Sequence, residues 1–132
     1  MTLGSQIKCN PAIKKVSDRD AVRQAVTDGR ISILATDHAP HTWEEKQGTY
    51  FNAPSGLPLI QHTLLIMMEM CQQNEFSPEL IVERACHAPA RLFQVKDRGY
   101  LREGYWADLV VVDPEGKTAV RDTELFLSLI HI

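Results

Sequence analysis

A carboxylate and two imidazoles lie side by side in the segment Asp37-His38-Ala39-Pro40-His41. Imidazoles exchange protons near neutrality, and both side-chain types bind divalent metals, so their grouping suits metal-assisted proton transfer. The apolar run Ser32-Ile33-Leu34-Ala35-Thr36 leads straight into the carboxylate. It is continuous rather than alternating, the pattern of a strand buried on both faces. In a parallel α/β protein the C-terminal end of such a strand is where catalytic groups sit.

The elements that must position this segment can be read from caps and periodicity. Ser17 followed by Asp20 predicts an N-cap with an acidic third position, and Asp28-Gly29 predicts the stop, giving a surface helix over 18–28. A strand over 31–36 follows, so the order is helix then buried strand, the αβ half of a parallel barrel or doubly wound sheet. After the Asp-His turn, residues 42–56 form a polar stretch too long for a simple connector, and loops of that length are usually functional or disordered. Residues 58–73 are apolar nearly all round, which predicts a helix buried on most sides. Ser77-Pro78-Glu79 supplies an N-cap, an N1 proline and an acidic first turn for a helix to about Cys86. Pro89 predicts a further short helical turn through Phe93. From Arg98 onward, Gly99, Gly104 and the run 107–114 read as two short strands and a turn in a separate β layer. Tyr105 and Trp106 are expected to pack between the layers, and residues 126–132 carry no cap or turn signal.

Composition narrows the function. The chain has 132 residues, 44% hydrophobic and 23% charged, enough for one ordinary domain with a core. A net charge of -3 without a Lys/Arg cluster argues against nucleic-acid or anionic-membrane surfaces. Cys9, Cys71 and Cys86 are an odd number at unrelated spacings, the usage of buried free thiols in a reducing compartment. The longest apolar run is far too short to span a bilayer, and nothing at the N-terminus resembles a signal peptide, so a cytoplasmic location is expected. His62 and His87 read as core or capping histidines, and Met67, Met68 and Met70 as core filling. Trp43, Glu44, Glu45 and Lys46 fit either a lid or a solvated charged face.

Three segments, in order, carry a family resemblance. Lys8-Cys9-Asn10-Pro11-Ala12-Ile13-Lys14 is similar to the turn after the seventh barrel strand of the dihydroorotases, a branch of the cyclic amidohydrolases. Asp37-His38-Ala39-Pro40-His41, followed by Trp43-Glu44-Glu45-Lys46, resembles their turn after strand eight. Ala53-Pro54-Ser55-Gly56 resembles the loop that closes over the substrate, with Ser55 in place of a commoner Phe. Ala88-Pro89-Ala90-Arg91-Leu92-Phe93, with Gly99, Gly104 and Ala107-Asp108-Leu109-Val110, is similar to the return from the barrel to a small β-sandwich. Together these segments are far more specific than any one of them.

The resemblance implies an α/β fold. Residues 1–97 would be the last two βα units of a (β/α)8 TIM-type barrel, residues 98–125 part of a β-sandwich, and 126–132 an unassigned tail. It implies reversible cyclisation of N-carbamoyl-L-aspartate to dihydroorotate in pyrimidine biosynthesis, with a binuclear zinc centre. Asp37 would be both a zinc ligand and the base that passes a proton from the metal-bound hydroxide to the leaving amide nitrogen. Asn10, His41 and the backbone at Ser55 and Gly56 would bind the substrate, and His38 would only orient. The implied partners are a second copy of the chain or an aspartate transcarbamoylase. The family's other zinc ligands, including a His-x-His, have no counterpart in this sequence, and a complete barrel needs about 250 residues. The expectation is therefore a C-terminal piece that is inactive alone. A hydantoinase or allantoinase, and a non-catalytic scaffold for the transcarbamoylase, are the competing readings.

Overall fold

The computed structural model describes residues 4–12 and 14–121, so the tail 126–132 lies outside the described residues. The chain forms two compact units. One holds described residues 4–12, 14, 36–64 and 118–121; the other holds 15–35 and 65–117.

The second unit is built from helices. Helix α1 spans Val16–Thr27. Its start is set by Asp18, whose carboxylate accepts the Lys15 backbone N–H at 3.0 Å. The cap expected at Ser17, with Asp20 as its acidic third position, thus lies two residues earlier, at Lys15 with Asp18. Gly29, at a φ of 88°, ends the helix where an L side chain would be strained. Helix α2 spans Thr63–Gln72 and begins later than expected, after a turn in which the N–H groups of His62 and Thr63 donate to Leu59. None of its residues is fully buried, and Leu64, Leu65 and Ile66 are exposed, so the all-round burial expected from sequence is absent. Its inner side still contributes: Met67, Met70 and Cys71 pack against the core of Val26, Phe76 and Ile81, joined by Ile31, Leu34 and Leu80. Cys71 is half-buried and Cys86 exposed, so the thiols are free but not all interior.

Helix α3, Pro78–Val82, starts as expected, with the Ser77 hydroxyl accepting the Leu80 N–H at 3.1 Å. It does not stop at Cys86. The backbone continues through a π-helical turn, Glu83–His87, into α4, Ala88–Leu92. In the wider turn the Ala88 N–H donates to the Glu83 carbonyl. The next donor would be Pro89, which has no N–H, so the Arg84 carbonyl is left open. It is filled from outside the helix by the Leu34 N–H at 2.9 Å. The short helical turn expected from Pro89 is thus joined to α3 through a π turn instead of standing apart from it.

That hydrogen bond is also what holds segment 31–36. The segment runs extended, but no strand ladder forms there or in 107–113 among the described residues. The expected strands lack their neighbours; an extended segment becomes a strand only beside another. Val110 and Val111 are accordingly exposed, as is Trp106, which stacks under the Arg98 guanidinium at 5.3 Å rather than between layers. Gly99 marks the one tight approach in this region. A Cβ there would stand 2.5 Å from that of Ala90.

Beside the π turn, Glu83 accepts from Arg91, and His87 lies 3.3 Å from the same carboxylate while stacking on Tyr100 at 4.2 Å. The Arg91 hydrogen bond holds the Glu83 carboxyl below its ordinary value of 4.5.

Two outcomes follow from this packing. Ile81→Ala empties a buried site and should lower the unfolding free energy in urea by about 2–4 kcal/mol; a loss below about 1 kcal/mol would show that this cluster is not the core. Because Glu83 is depressed in the folded state, its contribution is present above pH 4.5 and fades as pH falls through the lower folded value. Glu83→Gln should therefore flatten the acid limb of stability between about pH 5 and 3, and an unchanged limb would remove Glu83 from the account.

Candidate functional site

The first unit holds every residue expected to bear chemistry. Asp37 sits at a φ of 47°, in the left-handed region that Asp tolerates better than most side chains. It is exposed, at the point where the chain leaves the extended segment. Immediately afterwards His38 forms a single parallel bridge with Leu57, and the Ala39 N–H donates to the Leu57 carbonyl at 3.1 Å. The His38 Nδ1 accepts the Ile60 N–H at 3.2 Å, which leaves the ring proton of the neutral form on Nε2. His38 thus ties the turn to the chain entering α2.

His41 is held at both ends. Its Nε2 lies 3.1 Å from the Ser55 carbonyl and its Nδ1 3.2 Å from the Glu45 carboxylate. Both neighbours accept, so both bonds form only when both ring nitrogens carry protons. Glu45 owes its place to a capping box. Its carboxylate accepts the Thr42 N–H at 3.0 Å, while the Thr42 hydroxyl accepts the Glu45 N–H at 3.2 Å. Sequence reading left Glu45 as a lid or a solvated charge; the Thr-x-x-Glu spacing at 42–45 was the signal that could have found it.

Gly56 is where two backbones meet. It is buried at a φ of 142°, and a Cβ would lie 2.3 Å from the Ala39 carbonyl oxygen and 3.1 Å from His41 Nε2. Its N–H donates to the Lys8 carbonyl at 3.0 Å. Glycine alone lets loop 53–56 lie against the Asp-His turn. Asn10, on the segment that Gly56 touches through Lys8, is exposed. The structure therefore gathers the Lys8–Asn10 stretch, His41, Ser55 and Gly56, while Asp37 stands at the head of the same turn.

Lys46 departs furthest from expectation. It is only 7% exposed, and its ammonium donates to the carbonyls of Lys8 at 3.1 Å and Pro54 at 3.0 Å. Burial pushes the Lys46 ammonium below the ordinary lysine value. A charge in a run of charges reads as solvated; only the fold shows that this one is not. A small cavity beside it is lined by Gln6, His41, Thr42, Trp43, Lys46 and Pro58. His62, read as a satisfied core histidine, has a buried Nδ1 with no hydrogen-bond partner among the described residues.

Metal binding is a separate matter. Among the described residues no three His, Cys, Asp or Glu side chains come together to hold an ion. The donors among the described residues do not fit a two-metal centre, because no such group forms around Asp37.

Gly56→Ala should collapse this arrangement, lowering the protection of the Ala39 amide against hydrogen exchange by about 1–3 kcal/mol. Unchanged protection would show that the loop does not depend on the missing Cβ.

The profile of the Amidohydrolase family matches residues 8–128. The dihydroorotase of Clostridium acetobutylicum is 34% identical over 125 residues, covering 94% of this chain and 29% of that protein. The dihydroorotase of Halobacterium salinarum is 34% identical over 123 residues, 93% of this chain and 29% of its own length. That of Clostridioides difficile is 34% identical over 121 residues, 91% of this chain and 28% of its own. The chain thus spans under a third of the length of the curated relatives it matches.

Proposed function

Because the chain belongs to the amidohydrolase family, a hydrolase family, we propose that it supplies the proton-transferring turn and part of the substrate pocket of a dihydroorotase. In the whole protein this would be the end of a TIM-type barrel over 1–97, with 98–125 entering a small β-sandwich. The reaction would be reversible ring closure of N-carbamoyl-L-aspartate to dihydroorotate. The observation that carries the reading is the meeting of His41 with Ser55 and Gly56, which joins two segments predicted to touch one substrate.

In hydrolysis, water adds to the ring carbonyl, the C–N bond breaks, and a proton must reach the departing nitrogen. Asp37 would carry that proton; its exposure at the head of the turn supports this reading. His41 and Asn10 would hold the substrate's carboxylate and ring amide, with the backbone at Ser55 and Gly56 completing the pocket. The zinc pair implied by the family resemblance finds one ligand here, Asp37, and its remaining ligands would have to come from outside this chain. The chain alone is accordingly expected to be inactive. A second copy or an aspartate transcarbamoylase remains the proposed macromolecular partner, and the cytoplasm the proposed location. Among the described residues no helix is long and apolar enough to cross a membrane.

A chimera tests the reading: the matching C-terminal segment of the Clostridium acetobutylicum dihydroorotase is replaced by this chain. The chimera should turn over dihydroorotate but not hydantoin or allantoin. Asp37→Asn within it should lower kcat by about 100-fold or more while substrate still binds. A folded chimera that prefers hydantoin or allantoin would assign the chain to a sister enzyme. A folded, inactive chimera that captures aspartate transcarbamoylase would favour the scaffold.

A further inference from the structure

We propose that Lys46 is a positioning residue whose buried ammonium sets the register of the Asn10 segment, the His41 turn and the 53–56 loop. Three observations carry this. The ammonium bridges carbonyls that lie 38 and 8 residues away in sequence, on Lys8 and Pro54. Lys46 is itself fastened from both sides of its backbone. Its N–H donates to the Thr42 carbonyl at 3.1 Å, and its carbonyl accepts the Ser5 hydroxyl at 2.7 Å. The Lys8 carbonyl it holds is shared with the Gly56 N–H, and the Lys8 ammonium returns to the Ala53 carbonyl at 2.6 Å.

One cation therefore links each segment assigned a substrate contact. Its four-carbon stem starts on the turn that carries His41 and Glu45, and its charge ends between the other two segments. An uncharged residue of the same length would leave the Pro54 carbonyl without its donor and the Lys8 carbonyl with only Gly56. Lys46 touches no reacting atom in this account. It acts through the groups it holds, and its effect should appear at His41 and Gly56 rather than in proton transfer. Only the substrate part of the inference rests on the dihydroorotase reading.

The test uses the full chain and two readouts: amide exchange at Gly56 and Ala39, and the His41 ring signals during titration with dihydroorotate. Lys46→Met should speed Gly56 exchange about tenfold or more, while amides of Val26 and Ile81 keep their protection. It should also weaken the dihydroorotate-induced shift of the His41 ring about tenfold, and Lys46→Arg should restore much of both. Lys96→Met, at an exposed lysine, should change neither. Equal Gly56 exchange in Lys46→Met and wild type would overturn the inference. So would protection lost at Val26 and Ile81 as well and unrescued by arginine, since Lys46 would then be a general stabiliser. If the wild-type ring signals ignore dihydroorotate while Gly56 protection is still lost selectively, the substrate reading fails and the positioning role stands.

Discussion

An ammonium removed from water needs oxygen acceptors close by, and around Lys46 these are main-chain carbonyls drawn from separate parts of the chain. That requirement organises the first unit. The Lys8 segment, the Asp-His turn and the 53–56 loop have no regular secondary structure to hold them, apart from one bridge between His38 and Leu57. What substitutes for a sheet is a set of point contacts: the Lys46 ammonium, the Lys8 ammonium on Ala53, and the Gly56 N–H on Lys8. Gly56 is the steric half of the same device, since a Cβ would force the loop off Ala39 and His41. Electrostatics draws the segments in, and the missing side chain lets them close.

His41 shows how such a scaffold fixes a side chain. Its ring is oriented by Glu45, which is itself fixed by the Thr42 capping box, so local backbone geometry is passed on to an imidazole. Asp37 is treated differently. It stands exposed at a positive φ, at the head of the turn.

The second unit solves an unrelated problem. Its helices must bury an apolar face while accommodating Pro89, and the π turn does so by leaving the Arg84 carbonyl to accept the Leu34 N–H. The extended segment 31–36 is thereby anchored to a helix rather than to a strand.

Much of the candidate site was legible in the sequence, because its signals are local. Asp37, His41 and Gly56 sit in short motifs whose residue types restrict what they can do, and Ser77-Pro78 starts a helix wherever it occurs. Pairings across long separations were not legible. Nothing in a Glu-Glu-Lys run says that the lysine is buried and the second glutamate holds a histidine, because burial depends on what folds over a residue and not on its neighbours in the chain. The same reason explains the exposed flank of α2 and the unpaired segments 31–36 and 107–113, where apolar content predicted partners. By itself the sequence determined which groups are capable of proton transfer and substrate binding, since that capacity is a property of side chains at short spacing. Only the tertiary structure decided which carbonyls meet the Lys46 ammonium and which loop meets His41, since those contacts arise from chain segments that sequence order keeps apart.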